Sequence, residues 1–325
     1  MVRPRPGGLA HSSLMKLGDF GNRLSKNQRH WNKWARRRDI SCYRLYDRDI
    51  PDFPLAIDWY EGEVHAQIFA RKGREPLTDE EEQAIGETIR ESLQIPRQAL
   101  SFKTRQRQRG LAQYEKTGQR GHRLTVSEGG LKFEVDLHSY LDTGLFLDHR
   151  ETRELIRRRA ENRRMLNLFA YTGSFSVFAA AGGALATTSV DLSNTYQAWT
   201  RRNLALNGFT GDEHRLERSD VFAYLERAVR ERRLFGLIVL DPPSFSNSKK
   251  MLEILDVQRD HRRLIDACLE LLTPNGELYF STNKRRFKID HDLESLPGCE
   301  EITRQTLPDD FKRHPAHRCW IFHQT

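Results

Sequence analysis

Cysteine is scarce in this chain, and where it occurs it is isolated. Among 325 residues there are four, Cys42, Cys268, Cys299 and Cys319, with no C-x-x-C pair and no Cys/His group at zinc spacing. That excludes a disulfide scaffold and a zinc finger, and it fits a reducing cytoplasm. No run of about 18 apolar residues is present, which excludes a membrane-spanning helix. Met1–Leu17 carries arginines but lacks the apolar stretch of a secretory signal, so it reads as a flexible tail. Repeats and low-complexity tracts are missing too. What is present, 38% hydrophobic and 30% charged residues, is enough for ordinary cores and suits about two domains.

Acid is nearly absent from three stretches. Lys16–Arg38 holds eight basic residues against Asp19 alone, and Arg97–Arg123 holds eight against Glu115 alone. Ser281–Lys288 adds four basic residues and no acid. Together they carry +18 in a chain whose net charge is +8, so everything else is −10. An acidic protein with three basic stretches is built to bind a polyanion there. Solvated helix faces would carry the same charge, but Trp31, Trp34, Phe102 and Tyr114 are interleaved with it. Stacking rings beside phosphate-binding cations suit RNA. A membrane surface is disfavoured, because no basic stretch has a strong apolar face. The expected RNA contacts are Arg23, Lys26, Lys33, Lys103, Arg105, Arg107, Arg109, Lys249, Lys284 and Arg285.

Asp19 is placed to cap a helix that carries Phe20, Leu24, Trp31 and Trp34/Ala35 on one face. Short strand-like runs follow at Cys42–Asp47, Leu55–Tyr60 and Glu63–Ala70, the last two separated by Glu61–Gly62. Thr78 and Glu81 form a capping box for a helix reaching about Leu93. Gly129–Gly130 separates the hairpin runs Leu124–Ser127 and Leu131–Leu137. This half reads as α+β with small antiparallel pairs. From about Leu155 strands and helices alternate, which predicts an α/β, Rossmann-like doubly wound parallel sheet. Glu300–Thr306 and Arg318–His323 look like a closing pair. Ligands of such sheets sit beyond the carboxyl ends of the strands, so those ends are where chemistry is expected.

The turn after the first of these strands, Asn167–Ser174, holds one glycine, Gly173. A dinucleotide site needs three, to bring backbone against a pyrophosphate. NAD, FAD and ATP are thereby disfavoured. A nucleoside-like ligand without phosphates, such as S-adenosylmethionine, needs only one close approach. Asp191 ends the second strand, 24 residues after Asn167, near the spacing expected for an acid on ribose hydroxyls. Asp220 follows the third, suited to an adenine amine or to a helix N-cap. The fourth runs into Asp241-Pro242-Pro243-Ser244-Phe245, where two prolines stiffen a loop holding an acid and an aromatic. Each element alone has a structural explanation; four in order at successive strand ends make a site. Upstream, Tyr140–Arg150 offers two aromatics, two acids and Arg150, a partner for a methionine carboxylate or else an ordinary surface loop.

On these residues the chain resembles the class I S-adenosylmethionine-dependent RNA methyltransferases. Within them it is similar to the C-terminal half of the fused bifunctional bacterial 23S rRNA guanosine methyltransferase, the half that methylates N7. The stretches that carry the likeness are NRLSKN (Asn22–Asn27), CYRLYD (Cys42–Asp47), YLDTGLFLDHR (Tyr140–Arg150), NLFAYTGSFS (Asn167–Ser176), VDLSNTY (Val190–Tyr196), DPPSFSNSKKM (Asp241–Met251), DVQRDH (Asp256–His261) and STNKRRF (Ser281–Phe287). They span about Asp19 to the C-terminus; the fusion's N2-methylating half has no counterpart. The resemblance implies donor contacts from Tyr140, Phe146, Asp148, Arg150, Asn167, Phe169, Tyr171, Thr172, Gly173, Ser174, Asp191, Leu192, Asp220, Val221 and Asp241. It implies an acceptor-facing loop Asp241, Pro242, Pro243, Ser244 and Phe245. It also implies a tail at 1–18, an α+β RNA-binding domain at 19–138 and a methyltransferase domain at 139–325. The implied substrate is 23S rRNA or a large-subunit precursor, in the cytoplasm, with a separate N2-guanosine methyltransferase as a conceivable partner. No metal is expected.

Pyrimidine C5 is a poor nucleophile that usually needs a cysteine thiolate. The loops DPPSFSNSKK and STNKRRFK contain none, and Cys268 lies among Leu264, Ile265, Leu269 and Leu272 as a core residue. Exocyclic amines call for an aromatic where Ser244 stands. Guanine N7 has a free lone pair on its open edge and needs only positioning. N2-guanosine and C5-cytidine methylation stay open as alternatives, as does a non-catalytic RNA-binding assembly factor, which the set Asp191, Asp220 and Asp241 argues against.

Overall fold

Helix α1 (His11–Arg37) starts before Asp19, which therefore lies inside the helix and does not cap it. The residues described by this computed structural model are 11–69, 77–105, 123–246 and 254–324. The stretch 1–18, expected as a tail, is helical from His11 onward, because the apolar stripe of Phe20 and Leu24 extends back to Leu17. Phe20, Leu24 and Ala35 are buried, with Trp31 and Trp34 against the same core. Arg23, Lys26 and Lys33 are exposed.

β1 (Cys42–Asp47), β2 (Leu55–Tyr60) and β3 (Glu63–Phe69) form an antiparallel meander. α2 (Asp79–Leu93) then crosses to β4 (Leu100–Arg105), which pairs with β3 in parallel, Val64 opposite Leu100. The crossover allows the parallel pairing, so this unit is a four-stranded mixed sheet, not isolated antiparallel pairs. Thr78 and Glu81 make the predicted capping box, and four acids in the first turn of α2 complement its dipole. Strand alternation places Lys103 on the buried face of β4 with Ser101. Lys103 is therefore not the exposed phosphate contact expected of it. Arg107, Arg109 and Lys249, and the side chain of Arg105, lie outside the described residues.

The chain divides into Met1–Arg107 and Gln108–Thr325. The second unit opens with the hairpin β5 (Arg123–Glu128) and β6 (Leu131–Asp136) around left-handed Gly129 and Gly130. Glu134 of β6 is held by Arg202 and by the Trp199 indole, which donates to its carbonyl. These bonds tie the hairpin to the second unit, so the boundary expected at 138/139 falls earlier.

A 3-10 turn at Leu147–His149 leads into α3 (Arg150–Arg159). β7 (Arg164–Leu168), α4 (Ser174–Ala181), β8 (Ala186–Asp191), α5 (Asn194–Leu206), β9 (His214–Arg218), α6 (Val221–Arg230) and β10 (Phe235–Leu240) alternate as predicted. A small pair, β11 (Phe245–Ser246) and β12 (Leu255–Asp256), precedes α7 (Val257–Glu270) and β13 (Leu272–Thr282). The chain closes with α8 (His291–Glu294), β14 (Cys299–Glu301), α9 (Thr303–Thr306) and β15 (Arg318–His323). The seven-stranded order is β14-β15-β13-β10-β7-β8-β9. The five strands from β13 to β9 are parallel, and β15 runs antiparallel to both of its neighbours, β13 and β14. Every residue of β10 is buried, as a central strand covered on both faces requires. Strand order reverses between β7 and β10, the position where such sheets bind ligands. No helix among the described residues is long and apolar enough to cross a membrane.

Candidate active site

Register places the strand ends side by side. Leu168 of β7 stands opposite Leu240 of β10 and Val190 of β8, so Phe169, Asp241 and Asp191 leave the sheet at one level. Phe280 stands opposite Leu240, which brings Ser281 beside Asp241.

The turn after β7 is held rather than flexible. Phe169, Tyr171 and Gly173 adopt positive φ (56°, 55° and 74°). For two aromatics this is strained, by about 1–3 kcal/mol each, and the surroundings fix it. Tyr171 N–H donates to Asp191 Oδ2 at 3.0 Å, the Thr200 hydroxyl to the Tyr171 carbonyl at 3.1 Å, and Asn203 to the Thr172 carbonyl at 2.9 Å. Thr172 donates to the carbonyl of Gly144 at 2.6 Å, tying this turn to the upstream loop. A Cβ on Gly173 would run into Thr200, and one on Gly144 into Trp199. One glycine is enough in the turn because these bonds hold the two aromatics in the left-handed region.

Asp191 is the acid of the second strand end. Burial pushes its pKa up to about 6, against the amides of Ser193 and Tyr171 that bind its charged form. Ser193 N–H reaches Oδ1 at 2.9 Å and Tyr171 N–H reaches Oδ2 at 3.0 Å, with the Leu192 amide also favouring the charged form, which leaves lone-pair capacity for a hydroxyl. Asp220 caps α6 through Oδ1, which accepts from Ala223 N–H at 3.1 Å. Its Oδ2 is buried with no hydrogen-bond partner. A buried carboxylate oxygen without a donor calls for one, and an exocyclic amine supplies it. A diol acceptor and an amine acceptor on neighbouring strand ends fit an adenosine. Leu192 is partly exposed beside Asp191, and Val221 is buried as the first residue of α6.

Other expected contacts are differently placed. Arg150 is buried in a two-bond pair with Asp310 at 2.9 and 3.1 Å, so its charge is already matched and does not await a methionine carboxylate. Asn167 is buried and donates to Ser176, which bonds Ser189; it ties β7 to α4 and β8 rather than facing a ligand. Tyr140 lies against Trp199. Phe146, 39% exposed, leans on Tyr171 at 5.0 Å between ring centres. Ser174 begins α4 directly after Gly173. Lys284 is paired to Asp256 at 3.1 Å, and Arg285 is exposed.

Asp241 sits at the head of the stiff loop. Ser281 Oγ donates to its Oδ1 at 2.7 Å, and His149 Nε2 lies 3.3 Å from its Oδ2. Pro242 is buried, Pro243 half-buried, and Phe245 48% exposed. Ser244 Oγ donates to the side chain of Asn283, just past β13. Behind Asp241 lie Asp148 and His317, joined at 2.8 Å, with the His149 and His317 rings stacked 4.3 Å apart. Asp148, His149 and His317 bring one ligand-type atom each within 4.8 Å of one another. His149, Ser281, Asn283 and His317 escaped the sequence reading. His149 lay inside YLDTGLFLDHR and Ser281 and Asn283 inside STNKRRF, whereas His317 lay outside every stretch that carries the likeness.

A family model described as S-adenosylmethionine-dependent methyltransferase matches residues 41–306. The chain is 49% identical over 311 residues to a protein of Neisseria meningitidis serogroup B named ribosomal RNA large subunit methyltransferase K, covering 94% of this chain and 87% of that one. It is 50% identical over 309 residues to ribosomal RNA large subunit methyltransferase K/L of Methylococcus capsulatus, covering 93% of this chain but 42% of that one. The chain thus spans less than half the length of the K/L relative. Among solved structures, SMU.776, a methyltransferase complexed with SAH, superposes with a TM-score of 0.76 at 25% identity, over 98% of this chain and 83% of that one. None of these matches points to a separate N2-methylating partner.

Proposed function

Because this chain belongs to the S-adenosylmethionine-dependent methyltransferase family, we propose that it methylates N7 of a guanosine in 23S rRNA or its large-subunit precursor. Identity near 50% across more than nine-tenths of the chain, to relatives named for large-subunit rRNA, supports the substrate. The chemistry at the switch point supports the atom. The Asp241–Phe245 loop contains no cysteine, and the thiols of Cys268 and Cys319 are pushed upward by burial, that of Cys319 also by the Asp241 charge, away from nucleophilic thiolate.

When bound, S-adenosylmethionine supplies an electrophilic methyl on a sulfonium. Asp191 would accept the ribose hydroxyls and Asp220 Oδ2 the adenine amine, with the Phe169–Gly173 turn beneath. Leu192 and Val221 would flank the adenosine. The loop Asp241–Phe245 would hold the guanine, with exposed Phe245 offering a face for stacking. N7 attacks with a lone pair already free, so positioning and exclusion of water suffice.

One observation favours a second reading: Asp241, fixed by two neighbours and 25% exposed, is an acceptor suited to orienting an exocyclic amine such as N2. The test separates the two. Unmethylated large-subunit rRNA is incubated with labelled S-adenosylmethionine, then treated with borohydride and aniline. The expected outcome is incorporated label with scission at one guanosine, and single-turnover rates without a rising limb between about pH 6 and 9. Labelled RNA that resists scission indicates N2 or a pyrimidine carbon; unlabelled RNA removes the substrate assignment.

A further inference from the structure

His149 lies at the point where the upstream loop meets Asp241. Its Nε2 is 3.3 Å from Asp241 Oδ2 and 3.9 Å from Asp148 Oδ2, and its Nδ1 is 3.4 Å from the Thr152 hydroxyl. We infer that His149 is a positioning residue for methyl transfer: as an imidazolium between Asp148 and Asp241, it fixes the Asp241 carboxylate in the orientation that meets the acceptor base. This rests on the proposed placement of that base at the Asp241–Phe245 loop.

Charge and proton counting support it. Asp241 Oδ1 takes the Ser281 hydroxyl and Oδ2 faces His149, so both oxygens are held. The charged groups around His149 are Asp148 and Arg153 on its own segment, Asp241 at the end of β10, and His317 before β15. Arg153 is bonded to Glu128 at 2.6 and 2.8 Å, and it opposes a charge on His149 less than Asp241 and Asp148 favour one. Two rings stacked at 4.3 Å and 15° cannot both be cationic without repulsion. His317 fits as the neutral one, with Nδ1–H donating to Asp148, while its Nε2 at 3.0 Å shares the Thr306 hydroxyl with the Thr303 carbonyl at 3.1 Å. Burial and the His149 charge hold its pKa down, against the pull of Asp148. His149 then carries the one positive charge for two carboxylates. Burial opposes that charge, but Asp241 and Asp148 outweigh it and raise the pKa. Methyl transfer is therefore expected to slow as pH rises through the His149 titration.

The experiment combines kinetics with NMR. His149→Gln keeps an N–H donor without charge and should retain part of kcat while losing the alkaline limb. His149→Ala should lose about tenfold to a hundredfold in kcat, as for a lost hydrogen bond to a charged group. Both should bind S-adenosylmethionine much as the parent does by calorimetry. In wild type the His149 ring nitrogens should titrate above the usual value of about 6.5, and Asp241→Asn should bring that titration down. Thermal melting guards against misfolding of the alanine variant, and the glutamine variant and NMR decide the matter if it misfolds. An unchanged limb in a folded His149→Gln would overturn the assignment. So would collapse of donor binding, a His149 titration indifferent to Asp241→Asn, or activity lost to EDTA and restored only by a divalent cation. A wild type that labels no rRNA would defeat the proposed function instead, leaving the NMR titration to judge the clamp.

Discussion

Asp191 holds two loop amides and, on the proposed reading, the ribose diol as well. Asp191→Ala should weaken S-adenosylmethionine by at least tenfold, since each hydrogen bond to a charged group is worth about 1.5–3 kcal/mol. Calorimetry checks this. With its pKa pushed up to about 6, the free site protonates readily, whereas two donated hydroxyls favour the ionised form. Donor affinity should therefore rise as pH climbs through about 6 and level off above it, and the alanine variant should lose that dependence. Asp191 was legible from its spacing and strand-end position, and Asp220 likewise. The orphaned oxygen of Asp220 was not legible, because burial is a property of everything packed around it.

Among the elements, the β5–β6 hairpin shows what an internal charge pair does. Arg153 of α3 reaches Glu128 through two bonds, and both side chains are almost wholly enclosed. Removing one member leaves a buried charge unmatched, which costs about 3–5 kcal/mol. Glu128→Gln should lower the urea-unfolding free energy by that order. Glu226→Gln, which breaks an exposed pair with Arg263, should change it by less than about 1 kcal/mol. The hairpin turn was legible because Gly129 and Gly130 both need positive φ. Its partner unit was not, because the bonds that fix it come from Arg153, Trp199 and Arg202 on later helices. The start of α1 was obscured by a plausible cap at Asp19, and β4 by the basic residues that dominate its stretch.

Across the whole molecule, the basic stretches are the proposed RNA footprint, and burial sorts them. Arg23, Lys26 and Lys33 stand exposed on α1, whereas Lys103 is buried. Replacing Arg23, Lys26 and Lys33 together with alanine should flatten the slope of log K against log salt for rRNA binding by about two units, at roughly 0.7–0.9 per phosphate contact. An unaltered slope in filter binding would assign these residues to an idle surface. By itself the sequence determined the alternating strands and helices, the turn glycines, and the acids at successive strand ends, because each is written in local spacing. Tertiary structure alone decided which charges are free and which are spent. Arg150 is matched by Asp310, 160 residues away, and Asp148 takes a hydrogen bond from His317, 169 residues away. Such pairs form only when the sheet has brought distant segments together, so no local pattern announces them.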